Sequence, residues 1–166
     1  PPLTHLPSHP VSPCIACDAC AGQDRISLHQ QAVQGHTPLW KCPLGAKDDS
    51  AFLLQRLALA SRLCIVAPIF FYHLPAQLKA LLDRLQPVWL STTDQGEGGG
   101  PFAPHLCHVI LIAGRPRGDQ LFTGSLLTLR HALAGLNIRL AEPLLLRGFD
   151  APGSLAADSR AVCAIE

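Results

Sequence analysis

The sequence predicts an α/β fold in which a parallel sheet is flanked by helices. Short apolar runs that suit buried strands alternate with segments whose apolar residues recur at helical spacing. The predicted strands are 63–67, 109–113 and 138–146, the last interrupted at Pro143. Strands alternating with helices imply βαβ units, because parallel neighbours need a crossover connection. With 166 residues the chain suits one domain, so a single domain over 1–166 is expected.

The helices are predicted from the spacing of Leu and from capping residues. They run over 48–61, 75–89, 122–135 and 155–165. The first thirteen residues contain Pro at five positions and are expected to be extended, since Pro removes backbone donors. Residues 14–46 have no clear period and are expected to form a cysteine-bearing loop, with at most a short helix near 27–33.

Composition excludes several classes of function. A net charge of +1 without a Lys/Arg cluster offers no electrostatic surface for nucleic acid, and no basic amphipathic segment suits a membrane surface. No apolar run is long enough to span a bilayer. The expectation is a cytoplasmic protein that binds neither nucleic acid nor membrane, in which cysteines serve metal or redox chemistry rather than disulfides.

Cys14, Cys17 and Cys20 form a C-x-x-C-x-x-C run. Three soft ligands on one short loop suit a [4Fe-4S] cluster or, less well, zinc, and Cys42 is the nearest candidate for a fourth ligand. A metal-free loop is the alternative. Cys64 and Cys107 fall in or beside predicted strands and are expected to be small core residues.

An aromatic loop follows the first predicted strand. Phe70, Phe71 and Tyr72 precede His73 at the carboxyl end of strand 63–67, where open α/β sheets bind ligands. Flat apolar side chains there suit a flat ligand, although Phe70 and Phe71 would equally pack into the core.

The segment Ala67-Pro68-Ile69-Phe70-Phe71, with 74–84 after it, resembles the signature of NADPH-dependent FMN reductases and iron-sulfur flavoproteins. That signature reads Ser/Ala-Pro-x-Tyr-Phe, then Pro/Ser-x-Gln-Leu-Lys-x-x-x-Asp-Arg. The resemblance implies a flavodoxin-like three-layer sandwich that binds FMN. The cofactor-binding residues it implies are Pro68, Ile69, Phe70, Phe71, Tyr72 and His73 in the first loop and Ala113, Gly114, Arg115 and Gly118 in the second.

The resemblance extends to the cysteines. Lys41-Cys42 followed by Lys47-Asp48-Asp49 is similar to the family's Lys-Cys-x-x-x-Asp-Asp, which aligns Cys42 with the fourth cluster ligand and makes 21–41 an insertion.

The ring loop departs from the family where Tyr72-His73 replaces a small Gly-Ser pair. The added bulk would narrow access to the ring, and His73 is a candidate catalytic residue that donates a proton to reduced flavin or substrate. The alternative is that His73 is a surface residue.

The function expected from this resemblance is an FMN-dependent oxidoreductase. It would pass electrons from NAD(P)H or a ferredoxin-like donor to a small-molecule or redox-protein acceptor, using a [4Fe-4S] cluster as relay, and would assemble into dimers or tetramers. The alternative is a non-catalytic electron-transfer or metal-binding module with a degenerate flavin site.

One part of the expected fold is missing from the sequence. The family's first strand, its Ser/Thr/Gly-rich phosphate loop and its first helix have no counterpart, so the domain is expected to be N-terminally incomplete. Strand 63–67 would then have an unpaired apolar edge, and either the chain is a fragment or another segment fills the gap.

Overall fold

The sheet is built around one central strand. The computed structural model describes residues 3–20, 42–92 and 104–165, so the short helix predicted near 27–33 lies outside the described residues. The four parallel strands are β1 (Leu63–Pro68), β2 (His105–Ala113), β3 (Ile138–Leu140) and β4 (Leu144–Arg147). β1 pairs with β2 from Leu63↔Cys107 to Pro68↔Ile112. On the other side β2 pairs first with β3 and then with β4.

The predicted interruption of the last strand is confirmed, because β3 and β4 flank Pro143. Pro lacks the N–H that a ladder needs, so pairing stops and resumes beyond it. β2 begins four residues earlier than the predicted 109–113. Residues in the first half of β2 alternate between buried and exposed positions. The continuously apolar run from which the strand was predicted therefore covers only its second half.

The helices lie between the strands, as the pattern predicts. They are α1 (Ser50–Leu59), α2 (Ala76–Asp83), α3 (Gln86–Thr92), α4 (Thr123–Ala134), α5 (Ser154–Ala157) and α6 (Ser159–Ile165). The single helix predicted over 75–89 is two helices, because Pro87 would remove a hydrogen bond from a helix interior but is tolerated in the first turn of α3. The extended amino-terminal segment contains one 3₁₀ turn, Leu6–Ser8.

The core lies on one face of the sheet. Alternate residues of β2, including Cys107, Val109 and Leu111, are buried there against Leu residues of α1, α2 and α4. Cys107 is fully buried, as predicted, and burial, followed by the nearby Cys64, raises its pKa to about 12. The thiol therefore stays protonated and serves as a small apolar group.

The opposite face of the sheet is more open. β1 was expected to be buried on both faces, but Cys64 is exposed, Val66 is 59% exposed and Leu106 of β2 is 52% exposed. The prediction that Cys64 is a core residue is therefore wrong: its side chain alternates to the outer face. Of the described helices, α6 packs against β4. In the described part of the chain β1 pairs only with β2, and no helix there is long and apolar enough to cross a membrane.

Candidate functional site

Three loops meet at the carboxyl edge of the sheet. They follow β1, β2 and β4, and parallel strands bring the ends of all three to the same edge. Backbone hydrogen bonds join them: Ile69 N donates to Ile112 O at 2.8 Å, and Gly148 N donates to Ala113 O at 2.8 Å. The sheet itself thus brings the two predicted ring loops, 68–73 and 113–120, together.

A cavity of about 290 Å³ lies between these loops. It is lined by Ile69, Phe71, Tyr72, Ala113, Gly114, Arg115 and Leu121. All except Leu121 are residues that the resemblance implies for cofactor binding. Leu121 was missed because it follows the Gly-rich turn and reads as part of the next helix.

The other predicted cofactor-binding residues lie beside the cavity rather than in its lining. Pro68 and Phe70 are exposed. Gly118, at φ 149°, packs so close to Tyr72 that a Cβ there would be 2.9 Å from Tyr72 Oη.

The first ring loop contains a strained turn. Phe70 N donates to His73 O at 2.9 Å and His73 N donates to Phe70 O at 3.0 Å, while Phe71 and Tyr72 have φ of 50° and 65°. Two positive φ angles between paired residues define a type I′ turn, which favours Gly and Asn. Bulky aromatic residues in this region are strained, and such strain concentrates at functional sites.

Tyr72 reaches across the cavity mouth to the second loop. Arg115 Nη1 donates to Tyr72 Oη at 3.2 Å, and the Arg115 guanidinium carbon lies 5.6 Å from the centre of the Tyr72 ring. The bulk predicted beside the ring site therefore covers part of the opening and is held there by Arg115.

The third loop contributes Asp150, which the sequence interpretation did not assign to the site. A Cβ on Gly114 would lie 2.6 Å from Asp150 Oδ1, so the carboxylate packs against the Gly114 backbone. Gly114 and Asp150 are far apart in the sequence, so no local pattern signals this contact.

His73 is turned toward α4. Its side chain is half-buried, and Nε2 lies 3.2 Å from Thr128 Oγ1. The imidazole is neither a free surface group nor part of the cavity lining.

The four cysteines of the predicted cluster line a second cavity, of about 340 Å³. Cys14, Cys17, Cys20 and Cys42 surround it together with Asp83 and Gln86. Within the described ranges no group of three or more His, Cys, Asp or Glu residues is arranged to hold a single metal ion. The four cysteines thus border one cavity without being gathered around a common point, and four thiolates are the donor set that an iron-sulfur cube uses.

The backbone of the cysteine loop is bent between its cysteines. Ala16 and Asp18, which alternate with the cysteines, have φ of 50° and 54°. Ala16 N donates to Cys14 Sγ at 3.5 Å. Burial, with smaller contributions from Cys14, Cys42 and Cys17, raises the pKa of Cys20.

A buried ion pair lies behind this cavity. Asp48 follows the Cys42 segment and pairs with Arg84, one residue after Asp83 of the cavity lining. Burial alone would raise the pKa of Asp48, but hydrogen bonds from Ser50 and Ser12 and the charge of Arg84 outweigh it and hold this pKa below its usual value. Both residues belong to segments that resemble the family's motifs, but no local pattern indicates that they meet.

Comparison with known proteins supports the resemblance. No protein-family model matches the chain. An iron-sulfur flavoprotein from Methanosarcina thermophila is 31% identical over 74 residues, which are 45% of this chain and 29% of that protein. The chain thus spans less than a third of that relative's length, and the predicted resemblance to this family is confirmed at the level of sequence similarity.

A solved structure shows the same fold. The Trp repressor binding protein from Bacillus subtilis has a TM-score of 0.52 at 18% identity, over 87% of this chain and 88% of that one. A candidate quinone reductase from Klebsiella pneumoniae has a TM-score of 0.49 at 18% identity, over 95% of this chain and 63% of that one. The predicted flavodoxin-like α/β fold with a parallel sheet is confirmed.

Proposed function

We propose that this protein is a flavin-dependent oxidoreductase whose flavin ring lies in the cavity between the loops after β1 and β2. The observation that carries the proposal is the lining of that cavity: aromatic side chains, a glycine backbone and an arginine, from loops that the sheet brings together. Aromatic and backbone groups suit a flat ring, and the position is where open α/β sheets bind ligands.

The residues around this cavity have separable roles. Gly114 presents bare backbone to the cavity, and its lack of a side chain lets Asp150 pack against the loop. Arg115 supplies a positive charge that favours an anionic reduced ring or the phosphate of NAD(P)H. The bound FMN would supply hydride and single-electron chemistry, while the protein supplies position and electrostatics.

We propose that Cys14, Cys17, Cys20 and Cys42 hold a [4Fe-4S] cluster that relays single electrons to or from the flavin. The shared cavity supports this proposal, and so does the similarity to an iron-sulfur flavoprotein. Zinc is the competing occupant, and metal analysis separates the two. The electron donor would be NAD(P)H or a ferredoxin-like protein.

For His73 the geometry favours positioning over proton transfer. Its Nε2 is engaged by Thr128, and it holds the strained turn against α4. We expect His73→Asn to leave the pH dependence of turnover unchanged while lowering thermal stability, and Thr128→Val to do the same. Loss of an ionisation from the pH profile of kcat/KM in His73→Asn alone would restore the proton-donor role.

The second candidate function is a non-catalytic electron-transfer or metal-binding module with a degenerate flavin site. One observation favours it: Tyr72 covers part of the cavity mouth.

A visible spectrum with iron and flavin analysis tests these proposals. Flavin bands that bleach on addition of NAD(P)H support the oxidoreductase, and a broad iron-sulfur shoulder that is absent from a Cys14→Ala/Cys17→Ala variant supports the cluster. A colourless wild-type protein after incubation with FMN would rule out the flavin proposal. Iron without flavin would favour the electron-transfer module.

A further inference from the structure

The cysteine cavity depends on two segments that the chain does not hold together locally. Residues 21–41 separate Cys20 from Cys42. Closing a loop of this length costs conformational entropy, and that cost rises with the number of intervening residues. Contacts outside the loop must therefore keep Cys42 beside the Cys14–Cys20 loop.

The ion pair of Arg84 and Asp48 is placed to do this. Both side chains are only 3% exposed, and Arg84 Nη1 lies 3.4 Å from Asp48 Oδ2. Arg84 caps the carboxyl end of α2, directly after Asp83 of the cavity lining. The pair thus lies at a junction of three segments: the amino-terminal segment, the segment after Cys42, and the end of α2.

Hydrogen bonds join each segment to the pair. Arg84 Nη1 donates to Ser12 O at 3.3 Å, and Ser12 N donates to Asp48 Oδ2 at 2.8 Å; Ser12 lies two residues before Cys14. Arg84 Nη2 donates to Ser50 Oγ at 2.9 Å, and Ser50 N donates to Asp48 Oδ1 at 3.0 Å.

The turn that holds Cys42 packs against the same guanidinium. Gly45 N donates to Cys42 O at 2.9 Å. A Cβ on Gly45 would lie 3.8 Å from Arg84 Nη2. The Cys42 turn is therefore in contact with the buried charge on one side and lines the cysteine cavity on the other.

A second set of contacts joins the same segments. Asp49 N donates to Pro10 O at 3.0 Å, and His9 Nδ1 lies 2.8 Å from Asp49 Oδ2. Gln77 of α2 donates from Nε2 to His9 O at 3.2 Å. Residues 9–12 thus lie along residues 48–50, directly before the cysteine loop.

A buried ion pair contributes little net stability by comparison with apolar packing, but a fully hydrogen-bonded one fixes a single arrangement of the groups around it. We propose that Arg84 and Asp48 are positioning residues that bring Cys42 to the Cys14–Cys20 loop and so assemble the metal-binding cavity. This inference rests on the proposed cluster and deepens it, since it explains how a ligand displaced by an insertion still joins the site.

Arg84→Met and Arg84→Lys test the proposal. Removing the charge and its hydrogen bonds should lower iron and sulfide incorporation, and the affinity of the apoprotein for Co²⁺, by about 10- to 100-fold, the usual cost of losing outer-shell support. Arg84→Lys keeps the charge but cannot bond Ser12 and Ser50 together, so intermediate loss is expected. Cluster that still forms should show an altered electron paramagnetic resonance spectrum, while flavin content stays at the wild-type level.

Two controls separate positioning from general destabilisation. Arg130→Met removes an exposed guanidinium from α4, outside the lining of the cysteine cavity, and should leave metal binding unchanged. Leu129→Ala weakens the core without touching the pair and should also retain the cluster. The proposal is overturned if Arg84→Met and Arg84→Lys load as much iron as the wild type, or if Leu129→Ala loses as much as Arg84→Met.

Failure of the cluster proposal can be distinguished from failure of this one. If wild-type protein takes up neither iron nor Co²⁺, the cluster proposal fails. A short bismaleimide then tests the positioning directly, with cross-links read by mass spectrometry. Cross-linking of Cys42 to the cysteine loop in the wild type but not in Arg84→Met supports the positioning role, and equal cross-linking in both proteins overturns it.

Discussion

Phe71 and Tyr72 place two aromatic side chains at the tip of a turn that glycine would form without strain. Phe71 is 102% exposed, whereas Tyr72 is held over the cavity mouth by Arg115. Strain at such a position persists only when its surroundings enforce it. Here the strain is enforced by the backbone pairing of Phe70 with His73 and by the contact of Tyr72 with Arg115. We relate the strain to control of access to the cavity.

Tyr72→Gly is expected to open this mouth. The variant should keep its stability to within about 1 kcal/mol, because relief of backbone strain offsets the lost contact with Arg115. Its kcat/KM for a bulky dye acceptor should rise relative to that for ferricyanide. Tyr72→Phe is the matched control, since it keeps the ring and loses only the hydrogen bond; an unchanged ratio in Tyr72→Gly would show that the side chain does not limit access.

The cysteines outside the cluster differ sharply in environment. Under native conditions Cys64 and Cys163, which are exposed, should react with iodoacetamide, whereas Cys107 should react only after unfolding. Cys107 is inaccessible, and its pKa of about 12 leaves almost no thiolate at neutral pH. Peptide mapping by mass spectrometry reads this directly, and early labelling of Cys107 would contradict the burial described.

Among the elements, the junction of the amino-terminal segment, α1 and the end of α2 encloses a buried ion pair, Arg84 with Asp48. The native pKa of Asp48 lies below its ordinary value, so the folded state binds fewer protons than the unfolded state near that pH. This contribution to stability is present above about pH 4, the unfolded value, and is lost as pH falls through the lower native pKa.

In Asp48→Asn the free energy of unfolding should therefore fall less steeply than in the wild type as the pH is lowered below about 4. At neutral pH the substitution should also lower the free energy of unfolding by about 3–5 kcal/mol, because Arg84 is left buried without its counter-charge. Urea unfolding at a series of pH values measures both effects. Asp119→Asn, on an exposed loop, is the control and should keep the wild-type profile; an equal acid loss in wild type and Asp48→Asn would exclude Asp48 as the source.

The sequence predicts the boundary of a helix or strand only where neighbouring residues mark that boundary. Pro143 and Pro87 mark real interruptions, although the break at Pro87 was missed because the leucine spacing continues through it. The pairing of Arg84 with Asp48 and the approach of Asp150 to Gly114 join residues far apart in the sequence. No local period or cap reports such contacts.

At the scale of the whole molecule, the described residues cover the two faces of the sheet unequally. Val66 and Leu106 lie on the open face, while Val109 lies on the core face. Contiguous exposed apolar surface favours association with dyes, other copies or further polypeptide.

Val66→Lys/Leu106→Lys should therefore be tolerated and should reduce the binding of anilinonaphthalene sulfonate by the chain. The charged groups would remain in water, so the melting temperature should change by only a few degrees. Val109→Lys, which buries the same charge in the core, should prevent stable folding. If the double variant unfolds as readily as Val109→Lys, the outer face is covered in solution.

The sequence by itself determined the parallel α/β architecture, the two ring loops and the set of four cysteines. Each of these follows from short-range sequence patterns: apolar runs, helical spacing, and closely spaced motifs that resemble a known family. Only the tertiary structure decided that the loops after β1 and β2 form one cavity, that Tyr72 covers it from a strained turn, and that Arg84 and Asp48 join the two cysteine segments. Those features depend on burial and on contacts between distant residues, which exist only once the sheet and helices have packed.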